Sequence, residues 1–166
     1  MHMRNKYIFN NLKILNPKQL KIIDARLDEI DLVLNGKIIC GVRPRRPFPY
    51  THPEIILLYK EGEELGMLRN YKELDRKSRK LLEKVLSIIY YMPEIKRIYN
   101  IKRERGKYHW KVLTDKGEME FNTWSKCIRL LPDGRLIIKD VDERVYHVKS
   151  IERLDAKSRL YLEIML

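Results

Sequence analysis

The sequence predicts an α+β, mainly β protein: a small antiparallel barrel or curled sheets, arranged in two pseudo-repeated strand–helix halves. Two observations carry this. The stretch Glu73–Leu86 reappears eighty positions on as Arg153–Leu166, with 8 of 14 positions identical and no gap. Around both copies run short apolar stretches of strand length, separated by turn-forming residues.

Each repeated stretch reads as a short amphipathic helix. Asp75 and Asp155 stand where an N-cap belongs and can accept bonds from the first free amides. Leu81, Leu82, Val85 and Ile89 then fall at helical spacing, as do Tyr161, Leu162 and Met165. Asp75, Arg79 and Glu83 step by four, as do Asp155, Arg159 and Glu163, so each helix can carry a ladder of alternating charge. The match extends upstream: Ile56–Tyr59 aligns with Leu136–Lys139, and Leu65–Leu68 with Val145–Val148. The expected organisation is an N-terminal arm over residues 1–21, a first β-rich half over 22–91 and a second over 92–166, each half closed by its helix.

In chain order, Ile22–Leu27 and Ile30–Leu34 read as strands, and Asn35-Gly36 is a strong two-residue hairpin signal. Ile38–Val42 returns. From Val42 to Pro53 four prolines predict an extended connector rather than helix or central strand. Ile55–Tyr59 and Glu64–Leu68 form a further hairpin before the first helix, which Pro93 limits. The second half reads as strands over 95–103, 108–114, 118–121, 126–131, 136–140 and 145–149.

The chain has 166 residues, enough for one domain or two small ones without metal or disulfide staples. Two cysteines, Cys40 and Cys127, fall in apolar strands and are expected to act as small buried hydrophobes. With no signal-like apolar stretch near Met1, a cytoplasmic setting is expected. Lys and Arg total 35 against 23 Asp and Glu, a net charge of +12. This balance favours polyanions such as nucleic acid, but a single glutamine, Gln19, and many charges also fit a heat-adapted surface.

Candidate binding residues fall in two places. Arg43, Arg45 and Arg46 lie beside Phe48 and Tyr50, where arginines can hold phosphates while a ring stacks on a base. The other reading of this stretch is a proline-stiffened crossover with Phe48 packed inward. Lys96, Arg97, Lys102, Arg103, Arg105 and Lys107 form the densest basic cluster, with Tyr99, Tyr108 and Trp110 among them. Strand alternation offers a plainer account, with Trp110 and Val112 in the core. His52, His109 and His147 are far apart, without metal-ligand spacing, and Asp140, Asp142 and Glu143 lack the glycine and spacing of a calcium loop. Neither a cofactor nor a catalytic set is expected, although distant groups can converge.

The segments Arg43–Tyr50, Ile56-Leu57-Leu58, Glu64–Met67, Leu74-Asp75, Pro93–Ile98, Trp110–Gly117, Leu154-Asp155 and Ser158 together resemble the cyanophycin-metabolism-associated proteins called DUF1854. The resemblance spans Val42 to Leu166. It departs at Asp142–Tyr146, where a Gly-Asn-Arg-Tyr-like turn is expected. It implies an accessory module with a protein partner, either a polymer synthetase or an ABC-type exporter subunit. A module binding RNA or single-stranded DNA through the basic residues is the alternative.

Overall fold

The computed structural model describes residues 13–125 and 127–165. The chain divides into two compact units with the boundary between Tyr91 and Met92. Residues 1–12 of the expected N-terminal arm and Lys126 lie outside the described residues.

The first unit is a five-stranded antiparallel sheet in sequential order: β1 (Leu20–Arg26), β2 (Glu29–Leu34), β3 (Lys37–Arg45), β4 (Ile56–Lys60) and β5 (Glu63–Leu68). Helix α1 (Arg76–Ile89) buries Leu82, Val85 and Leu86 against the sheet. The β2–β3 and β4–β5 turns each place two successive residues at positive φ, Asn35-Gly36 (51° and 79°) and Glu61-Gly62 (52° and 81°), as tight hairpins require. Lys13–Leu15 runs parallel to β5, with the Met67 amide donating to Lys13 O (2.8 Å) and the Leu15 amide to Met67 O (2.9 Å). Gly66 permits this approach. A Cβ there would stand 2.7 Å from both the Leu15 side chain and the Lys13 carbonyl.

The second unit has two three-stranded antiparallel sheets. One is β6 (Ile95–Glu104), β7 (Lys107–Thr114) and β8 (Gly117–Trp124); the other is β9 (Ile128–Leu130), β10 (Leu136–Lys139) and β11 (Val145–Val148). Helix α2 (Ala156–Met165) buries Ser158 and Leu162. The His147 amide donates to Pro93 O (3.1 Å), beside a parallel bridge between Glu94 and His147. Ile95, Ile98, Trp110, Val112, Leu136, Ile138, Tyr146 and Leu162 form the centre of the core.

Each unit joins helix to sheet through one buried serine. Ser78 Oγ accepts from the Ile22 amide and Ser158 Oγ from the Ile98 amide, both at 2.8 Å. Each serine hydroxyl donates in turn to the N-cap carboxylate, Asp75 or Asp155, which also accepts the serine's own amide. A β-bulge follows the anchored isoleucine in both strands. Here lies the correction to the barrel expectation: the sheets are antiparallel and none closes. At β1 and β6 a helix side chain, not another strand, meets the strand amide.

Two local expectations also fail. Pro44 lies inside β3, opposite Leu58, although the prolines argue for a connector. It is tolerated because β2 begins at Glu29 and pairs with β3 only as far as Val42, so the Pro44 nitrogen has no ladder bond to make on that side. Cys40 is exposed, and only Cys127 is half-buried. Cys40 and Gly41 (φ 67°) sit where the β2–β3 register shifts opposite Asp31, whose carboxylate accepts the Gly41 amide at 2.9 Å. The bulge turns Cys40 outward.

The serine bonds hold the Asp75 and Asp155 carboxyls below the ordinary aspartate range. A depressed folded-state pKa means stabilisation that is complete above the unfolded value and lost as pH falls through the folded one. Thermal melts are therefore expected to decline below about pH 4. Ser78→Ala and Ser158→Ala should make that acid decline shallower while lowering stability at neutral pH. A decline unchanged by both substitutions would separate the caps from the acid sensitivity.

Candidate anion- and partner-binding surfaces

The arginines of the first unit leave the end of β3 in succession, and each turns to a different partner. Exposed Arg43 faces Glu29 (3.4 Å) and Asp28 (3.9 Å). Arg45 Nη1 donates to Pro44 O at 2.8 Å. Arg46 is the most tightly held: its amide donates to the Tyr90 hydroxyl (2.6 Å) and its Nε to Pro53 O (2.9 Å). Its guanidinium carbon lies 5.5 Å from the Tyr90 ring centre and 5.9 Å from that of Tyr71, within cation–π range. Arg46 thus ties the proline-rich segment to α1 and to the turn before it. Phe48 and Tyr50 are half-buried, with Phe48 meeting the His52 ring edge-on at 6.1 Å.

The basic residues of the second unit form two groups on β6 and its hairpin. Lys96 and Arg97 stand at the start of β6, about 17 Å of strand away from Lys102. Lys96 lies 2.9 Å from Glu94, which Lys149 approaches at 3.4 Å. Burial disfavours the Glu94 carboxylate, but the two lysines outweigh it and hold the carboxyl below its ordinary range. Arg97 lies 4.0 Å from Asp155.

At the other end, Arg105-Gly106 makes a two-residue turn (φ 52° and 78°), which places Lys102, Arg103, Arg105 and Lys107 around one hairpin tip. Lys107 Nζ lies 4.7 Å from the centre of the Trp124 ring, which is 53% exposed. Next to this pair, Lys102, His109 and Asn122 form one row across β6, β7 and β8. A shallow depression here is lined by Glu104, Arg105, Lys107, His109 and Asn122.

Trp110 is not part of that surface. It is fully buried, stacked on Phe121 at 5.5 Å, and its Nε1 donates to Thr123 Oγ1 at 2.7 Å. Phe121 stacks in turn on Tyr146 at 4.0 Å. The exposed ring is Trp124, which the sequence reading passes over. Its signal was its register: it lies an odd number of residues from Phe121, and so on the opposite face of β8.

Of the carboxylate and imidazole candidates, Asp140 serves the framework. Asp140 is buried and accepts from the amides of Asp142 and Arg144 (both 2.9 Å) and from the Tyr146 hydroxyl (3.0 Å). Burial, reinforced by Asp140, pushes Tyr146 up to about 12. Burial also pulls the half-buried His147 below its ordinary value and pushes the Cys127 thiol up. Among the described residues no cluster of three or more His, Cys, Asp or Glu could hold a metal ion, and no helix is long and apolar enough to cross a membrane.

The family model for the domain of unknown function DUF1854 matches residues 39–165. The chain belongs to the DUF1854 family. No curated protein and no solved structure matches it. The DUF1854 span begins inside β3 and runs to the end of α2, so it covers most of both units but omits β1 and β2, which are bonded into the first sheet.

Proposed function

We propose that this DUF1854 chain is a non-catalytic accessory module, built from a duplicated strand–helix segment, that docks on a partner protein. The partner class suggested by the resemblance is a polymer synthetase of cyanophycin metabolism or a subunit of an ABC-type exporter.

The observation that carries the accessory reading is where the buried polar groups go. Ser78, Thr114, Thr123, Asp140 and Ser158 are the buried polar side chains among the described residues, and each is engaged in framework bonds. Groups held this way fix turns, caps and helix docking. The duplication is supported by contacts that recur at one offset. Met67 to Lys13 and His147 to Pro93 are the same amide–carbonyl bond eighty residues apart at both ends. The serine anchors differ by four residues on the strand side, where the first unit carries the extra turn Pro17–Gln19 between Leu15 and β1. Protein docking is supported by α2, which leaves Leu160 57% and Ile164 75% exposed.

Titration calorimetry of the chain against the purified synthetase or exporter subunit tests this reading. A saturable complex is expected, weakened at least tenfold by Leu160→Glu with Ile164→Glu. Absence of a complex, or one indifferent to those substitutions, overturns it.

A further inference from the structure

We propose that the outward face of α1 is a docking surface for the phosphate backbone of double-stranded nucleic acid, read without regard to sequence. This surface needs no protein partner and lies wholly within the first unit.

At 100° per residue, α1 divides into three arcs. Ser78, Leu82, Val85, Leu86 and Ile89 face the sheet. Beside them Arg79 and Glu83 pair at 3.0 Å. The remaining arc, about 120° wide, holds Arg76, Lys77, Lys80 and Lys84, followed by Ser87 and Ile88, and all six are exposed. It contains no acidic residue, and among the described residues none of these four cations is in an ion pair or hydrogen bond. The helix therefore keeps its compensated charges on one side and its uncompensated charges on the other.

For stability alone this is a poor arrangement. Arg76, Lys80 and Lys84 repeat at i and i+4, where like charges repel. Arg76, Lys77 and Lys80 crowd the helix N-terminal half, where the macrodipole disfavours cations, and the first turn holds no acidic residue. Nor does the fold require it. At the corresponding positions eighty residues on, α2 carries Ala156, Lys157, Leu160 and Ile164 and makes the same serine anchor to its strand.

Duplex is the polyanion that fits. From Arg76 to Lys84 the arc runs about 12 Å along the axis. A duplex presents one charge per about 1.7 Å of its own axis, roughly seven over that length. The arc carries no aromatic ring, which a single-strand site would use for stacking. The apolar side of the helix is committed to the core, so it cannot insert into a bilayer as an interfacial helix does.

The test is fluorescence anisotropy with a labelled 20-base-pair DNA duplex and the full chain, from 50 to 200 mM salt. Log K should fall linearly with log salt. In the variant Arg76→Gln, Lys77→Gln, Lys80→Gln, Lys84→Gln the slope should flatten by about 3.6 (0.9 per contact), with affinity at 100 mM salt reduced at least tenfold. Removing four charges from the hairpin instead (Lys102→Gln, Arg103→Gln, Arg105→Gln, Lys107→Gln) should cost less than threefold. The helix variant should melt no lower than the parent, because repulsion is relieved. Equal losses in the two variants, or salt-independent binding, would overturn the proposal. So would poly-glutamate or vesicles of anionic lipid binding the helix face as tightly as duplex, which would assign it to an acidic protein segment or a membrane surface.

Discussion

A chain cut to residues 39–165, the span matched by the DUF1854 model, is expected to lose the fold of its first unit. The cut removes β1, β2 and the start of β3, together with Leu15, Leu20, Ile22, Ile30 and Leu32, five of the fourteen buried residues of that core. At about 1.5–3 kcal/mol for each fully buried side chain, the loss is roughly 8–15 kcal/mol, as large as the whole stability of a typical domain. It also takes from Ser78 Oγ the Ile22 amide that donates to it, leaving its bond to Asp75. Amide NMR spectra should show the resonances of 39–91 collapsing toward random-coil positions. A truncated chain that keeps dispersed signals there would show β1 and β2 to be dispensable.

Trp110→Ala should be the most damaging single substitution in the second unit. The ring is fully buried and stands at one end of the Trp110–Phe121–Tyr146 stack, so its removal should cost about 3–5 kcal/mol in urea unfolding. Trp110→Phe keeps an aromatic ring but loses the bond to Thr123, and should cost about 1–2 kcal/mol less than the alanine variant does. The reading of Trp110 as a base-stacking platform makes the opposite forecast: intact stability and weakened binding to single strands. Trp124→Ala, on the exposed face, should leave unfolding within about 0.5 kcal/mol of the parent.

Much of the architecture was legible because local chemistry and tertiary packing agree. Asn35-Gly36 forces a tight reversal, and Asp75 and Asp155 cap helices whose apolar positions repeat at helical spacing. Serines at 78 and 158 were visible only as identities in a repeat. Their partners, Ile22 and Ile98, lie 56 and 60 residues away, and sequence spacing says nothing about such a bond. Cys40 and Pro44 escaped for a related reason: a bulge and the starting point of the neighbouring strand decide their surroundings, not their own neighbours in the chain. Among the candidate binding residues, the charge pattern gave the positions of Arg43, Arg45 and Arg46 but not their partners. Arg46 reads as a free cation, yet two tyrosines and a carbonyl from distant segments surround it.

The second unit divides a path that the first keeps whole. In the first, β3 bonds to β2 through Lys37–Val42 and to β4 through Val42–Arg45 as one uninterrupted strand. In the second, β8 stops at Trp124 and β9 begins at Ile128, and the Val141 amide donates to Asn122 O (2.9 Å), joining the segment after β10 to β8. The side chains close what the backbone leaves open, since Phe121 of β8 stacks at 4.0 Å on Tyr146 of β11. Trp110 of β7 extends the same stack, so the two sheets of the second unit are clamped together through their rings, whereas the five strands of the first unit are joined edge to edge by backbone bonds.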